Sequence, residues 1–106
     1  MYDELLMDEG VDRVISALCA DYPRREGIIL RKNAPYNVIM ECRFLNYRIL
    51  DAAMEIAGTR DAISFINDIA DGRGYATSDL WALSEKSYKL RKGEVKNNIA
   101  KRLSLI

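Results

Sequence analysis

The feature that most restricts what this chain can fold into is one apolar stripe. Between Pro35 and Ala57, Val38, Cys42, Leu45, Ile49, Ala52 and Ile56 recur at steps of four, three, four, three and four. That near-heptad spacing puts all six on one side of a helix about six turns long and demands a partner surface for it. Pro35 disfavours the α-conformation at Ala34 and suits a helix start, while Gly58 supplies a stop. The same stripe is also the seam a homodimer would use, so the 35–57 helix serves either a single-chain core or a second copy.

Around it the sequence reads as helix throughout. From Asp3 to Ala20, Met7, Val11, Val14, Ile15 and Leu18 follow three-to-four spacing. Asp21 is placed to cap a short second helix running to about Arg31, with Pro23 in its first turn. Thr59 can cap a helix whose inner face is Ala62, Ile63, Ile66, Ile69 and Ala70, and "DGRG" ends it in a turn. Ser78 and Ser84 then cap a short helix, Asp79 to Leu83, and a long one, Glu85 to Leu103. Gly93 falls inside the latter at a cost of about 1 kcal/mol relative to alanine, which marks a weak point or a close contact. The expectation is an all-α single domain over residues 1–106, a small bundle of five to six helices with a C-terminal helix-turn-helix-like pair.

Several chemistries lack their residues. The chain has no histidine, which removes the commonest general base and metal ligand. Cys19 and Cys42 sit in apolar helical patterns as small buried hydrophobes and form no zinc set. Carboxylate pairs such as Asp8/Asp12 and Asp68/Asp71 fall on expected helix surfaces, where they solubilise. "GRGYATS" lacks the spacing and lysine of a phosphate loop and reads as a turn. No catalytic residue, cofactor or metal site is expected. No apolar run reaches the roughly 18 residues of a membrane span, and the acidic start lacks a signal peptide's basic region, so the chain reads as soluble and cytoplasmic.

Charge is where function shows. Residues 1–71 hold 8 Lys or Arg against 13 Asp or Glu, net −5, and residues 72–106 hold 8 against 3, net +5. An acidic half and a basic half suggest different partners. The positive charge concentrates on the last helix, where Lys86, Lys89, Lys92 and Lys96 form a row and Arg91 lies about 100° away. Such a row can neutralise phosphates, the hydroxyls of Ser84 and Ser87 at the helix start can hold a phosphate oxygen, and arginine suits bidentate contact with guanine. Val95, Ile99 and Leu103 on the other face would fasten the helix to the core. With Tyr88 interleaved, the candidate DNA-binding set is Ser84, Lys86, Ser87, Tyr88, Lys89, Arg91, Lys92 and Lys96.

The stretch from Phe65 to Ile106 resembles the C-terminal half of phage-encoded transcriptional regulators of the RinA/ArpU type. Ser84, Tyr88, Lys89, Arg91 and Lys92 match the family's serine, tyrosine and basic run. Ile99, Ala100, Leu103, Leu105 and Ile106 match its close, and "DYPRRE", residues 21–26, is similar to an upstream segment. The resemblance implies a sigma-factor-like helix-turn-helix that acts on late or lytic genes through duplex DNA or RNA polymerase. One departure stands: Ala82 precedes Ser84 by two positions, where a helix-turn-helix places a small residue about six before. Either the first helix is the one carrying Ile69 and Ala70, with "DGRGYATSDLW" inserted, or the turn is of another kind. The rival expectation is a helical adaptor whose basic helix binds an acidic protein.

Overall fold

A computed structural model describes residues 8–31, 33–80 and 82–106. Among these the chain is all-α, with no strand: α1 (Glu9–Ala20), α2 (Tyr22–Ile29), α3 (Tyr36–Asp71), a 3-10 turn (Tyr75–Thr77) and α4 (Glu85–Arg102). The count falls short of the five to six helices expected, for two local reasons.

The first is at Gly58. The stop expected there is real, since Gly58 takes φ 80°, ψ 167°, a backbone open to glycine. Helix resumes at once, so the two expected helices run on as one bent element. Unbent, its 36 residues would span about 54 Å, more than the molecule's longest extent of 45 Å.

The second is the stretch expected as a helix from Asp79 to Leu83, which is non-helical at its described positions. Five residues are too few to repay helix nucleation without help, and here side chains take up the backbone instead. The Ser78 hydroxyl accepts from the Leu80 N–H (3.0 Å), and the Tyr75 hydroxyl donates to the Leu83 carbonyl (2.6 Å). The helix-turn-helix-like pair is therefore absent in its expected form. Trp81 lies outside the described residues, as does the start of the helix expected from Asp3: Asp8 takes φ −50°, ψ 150° and caps α1 by accepting from the Val11 N–H.

The stripe on α3 builds the core. Cys42, Ile49 and Ala52 are buried and Val38, Leu45 and Ile56 partly so, and of these Leu45, Ile49, Ala52 and Ile56 pack with Ile15 and Cys19 of α1 and with Val95, Ile99 and Ala100 of α4. Both cysteines are free and buried. Past the bend, Ala62, Ile66 and Ile69 face in as expected, but Ile63 is exposed and Phe65 takes its place. Val14 is likewise exposed.

The α1–α2 corner is held to α3 by a buried arginine. Arg25 donates from Nε to Asn46 Oδ1 (2.5 Å) and from a terminal nitrogen to the Leu18 carbonyl, and Asn46 donates to the Tyr22 carbonyl (3.1 Å). A buried charge survives only with its donors satisfied, and these are. Asp21 stands at the cap position of α2 without capping it, because its carboxylate is taken by Arg24 at 2.6 Å through two nitrogens. That contact holds the carboxyl of Asp21 below its ordinary value.

α4 ends in a Schellman turn: the Leu105 N–H reaches the Ala100 carbonyl (2.8 Å) and the Ser104 N–H the Lys101 carbonyl (3.1 Å). The left-handed residue is Ser104, φ 58°, where glycine is the usual occupant. Ser104→Gly is expected to stabilise the domain by about 0.5–1 kcal/mol, a rise in Tm of a few degrees in a thermal melt. An unchanged or lower Tm would show that Ser104 is not strained.

Candidate nucleic-acid interface on α4

α4 begins cleanly. Ser84 takes φ −66°, ψ 156° and its hydroxyl accepts from the Ser87 N–H at 3.1 Å. Glu85 in the first turn and Lys101 and Arg102 in the last suit the helix dipole. Its buried face is Tyr88, Gly93, Val95, Ile99 and Ala100. Gly93 is thus on the packed side of the helix.

That face decides what the basic residues do. At about 100° per residue, Tyr88, Val95 and Ile99 fall within roughly 40° of one another, Lys92 lies about 20° past Ile99, and Lys96 lies between that group and Ala100 and Gly93. The expected lysine row and the expected apolar face are not opposite. Lys92 is half-buried, donates to the Arg73 carbonyl and sits 5.9 Å from the Tyr88 ring centroid. Burial pulls its ammonium below the ordinary value, and neighbouring Lys96 adds to this. Lys96 reaches Asp12 of α1 at 3.0 Å.

Tyr88 is a core residue and presents nothing to a partner. Its ring stacks on Phe65 with centroids 5.6 Å apart, and its hydroxyl donates to Asp68 Oδ2 at 2.8 Å. Burial, then the Asp68 contact, pushes its pKa up to about 12. Asp68 is itself buried and also accepts from the Ser78 hydroxyl at 2.5 Å. It is therefore the anchor of the 72–84 connection, not a solubilising surface carboxylate.

Four of the eight expected residues, Ser84, Lys86, Ser87 and Lys89, remain exposed together over the first two turns of α4. Lys89 pairs with Glu85 at 2.8 Å across an exposed i,i+4 contact. Arg91 is exposed too, but one guanidinium N–H is committed to the Ile56 carbonyl at 2.9 Å, closing the helix end that the Gly58 bend leaves open. Tyr88, Lys92 and Lys96 leave the set.

The charge asymmetry has a second, internal use. Arg102 pairs with Asp51 and Glu55 of α3, as Lys96 does with Asp12, so cations of the basic half meet acids of the acidic half within one chain. Asn98 and Arg48 complete the clamp, donating to the carbonyls of Ala52 (2.9 Å) and Arg102 (2.7 Å).

A second surface carries its own pattern. Tyr36, Met40, Phe44 and Tyr47 recur on α3 at steps of four, four and three, and are 77, 41, 60 and 68% exposed. They lie on the side of α3 away from the buried stripe. Comparison with protein-family models, with curated proteins and with solved structures gives no match.

Proposed function

We propose that the chain is a DNA-binding transcriptional regulator of phage or prophage type, meeting duplex DNA with the first two turns of α4. The observation that supports this is the exposed group Ser84, Lys86, Ser87 and Lys89 at a capped helix N-terminus. Two ammonium groups, two hydroxyls and the positive end of the helix dipole all favour phosphate oxygens there. Lys86 has no ion-pair partner among the described residues, and the exposed Glu85–Lys89 pair is of a kind that contributes little and yields to a phosphate. Arg91 adds the guanidinium nitrogens not spent on Ile56. The contact is made by the end of one helix, without the helix expected before it.

A salt titration of binding to a labelled duplex tests this. The slope of log K against log salt is expected near −3, from about three phosphate contacts at roughly −0.9 each. Lys89→Ala reduces its magnitude by about 1, whereas Lys92→Ala and Lys96→Ala leave the slope unchanged and lower stability instead. Absence of duplex binding at about 50 mM salt sinks the reading.

The second reading, a helical adaptor for an acidic protein, has its own support. The solvent side of α4 interleaves Leu90 and Glu94 with Lys86 and Lys101, a mixed chemistry closer to a protein contact than to a phosphate-tracking strip.

A further inference from the structure

The outward row on α3 has no role in the core and none in the α4 contact. We infer that this face, Tyr36, Met40, Phe44 and Tyr47, is an isologous interface that a second copy of this chain covers. The inference is independent of DNA binding.

Area argues for it first. At roughly 200 Å² per aromatic side chain, the exposed fractions of the three rings leave about 400 Å² of apolar surface. Two such faces supply about 800 Å². With the polar rim that accompanies an apolar centre, the total comes to about 1,300 Å², inside the range of specific, stable interfaces.

The order of residues argues for a copy rather than for a foreign helix. A two-fold interface must complement itself, each residue i meeting j where j meets i. Read in either direction the row is tyrosine, two large apolar groups, tyrosine, spaced over about 16 Å of helix. An antiparallel copy sets Tyr36 near the partner's Tyr47 and Met40 against the partner's Phe44, the thioether–ring contact that methionine favours.

The flanks suit this too. Hollows on either side, one between Tyr22, Ile29 and Leu50 with Glu26 and Arg43 at its wall, the other beside Phe44 and Leu103 with Arg48 and Arg102, give the copy's side chains mixed apolar and charged room to enter. No charged residue interrupts the row. Arg43 stands on one edge, and Arg48 lies over the Phe44 ring, 4.4 Å from its centroid.

Sedimentation velocity on the full chain without nucleic acid, from low micromolar to millimolar concentration, reads the result. The expected mass is twice 12.1 kDa. Phe44→Lys is expected to weaken the dimer at least about thirtyfold, the size of an interface hot spot. Because Phe44 is exposed, its helical circular dichroism and melting in dilute solution should match wild type. Leu90→Lys, an exposed apolar change off this face, should stay dimeric. A wild-type chain of 12.1 kDa at millimolar concentration overturns the inference, as does a Phe44→Lys variant that dimerises undiminished or a Leu90→Lys variant that falls apart equally.

Discussion

Raising the pH from 9 to 12 is expected to unfold the domain, through two buried groups. The Cys19 thiol is pushed from 9.0 to about 12 by burial, and the Tyr88 phenol from 10.0 to about 12 by burial and by Asp68. Both are neutral when protonated, so below pH 9 neither distinguishes the folded from the unfolded chain. Above it, the unfolded chain gives up its thiol proton first, then its phenol proton from pH 10, while the folded chain holds both. Stability is therefore complete below the unfolded values and falls as pH rises through the folded ones. At about 1.4 kcal/mol per pH unit, Cys19 accounts for about 4 kcal/mol and Tyr88 for about 3, amounts comparable with the whole stability of a small domain. Tyr22 is shifted the same way, by burial first. Urea midpoints followed by far-UV circular dichroism across this range measure the loss. Cys19→Ala should delay its onset to about pH 10. A midpoint constant from pH 8 to pH 11 would refute the assignment.

Asp68→Ala carries the largest expected effect of a single substitution, a loss of about 3 kcal/mol. The carboxylate accepts from two hydroxyls, those of Ser78 and Tyr88, both on buried residues. Removing it strands the Ser78 hydroxyl, leaves the Tyr88 hydroxyl only the longer contact to the Arg73 carbonyl (3.4 Å), and opens a space between α3 and α4, an unsatisfied group costing about 1–3 kcal/mol. A double-mutant cycle with Tyr88→Phe isolates the shared part, and the double variant should be clearly less destabilised than the sum of the singles. Additivity within about 0.5 kcal/mol would mean that the Asp68–Tyr88 contact contributes nothing. Neither change touches Lys86 or Lys89, so the salt slope of duplex binding should survive in whatever fraction remains folded.

Periodicity carried the helices of this chain well and their faces less well. The inner stripe of α3 and the break at Gly58 were both legible, because each is written in local spacing and backbone chemistry. Phase across α4 was not. Lys89, Lys92 and Lys96 do share a side of the helix, yet that side grades into the Tyr88–Val95–Ile99 face. A lysine's long stem lets it sit there and reach out to Asp12 or a carbonyl, which composition does not announce. The buried place of Tyr88 depends on Phe65 and Asp68, about twenty residues upstream, and no local pattern joins them. The stretch from Asp79 to Leu83 had a capping serine and apolar neighbours, and Ser78 was drawn instead into the Asp68 contact.

The outward row Tyr36, Met40, Phe44 and Tyr47 obeys the same spacing as the inner stripe, so spacing assigns neither to the core. What separates them is residue size at the tightest point: Ala52 and Ala53 let α1 and α4 approach α3 on one side, and no small residue does so on the other.

The ion pairs between the two halves have a consequence for the unfolded chain. Folded, the domain spends Lys96 and Arg102 on its own acids and Lys92 on a carbonyl. Unfolded, it releases all three into a tail that already carries Lys86, Lys89, Arg91 and Lys101. A polyanion without the right shape thus finds more to hold in the open chain than in the closed one, and ligands that prefer the unfolded state destabilise the folded one. The chain's own acidic half is the competitor that holds Lys96 and Arg102 in the closed form, and any anion that reaches them must first displace Asp12, Asp51 or Glu55.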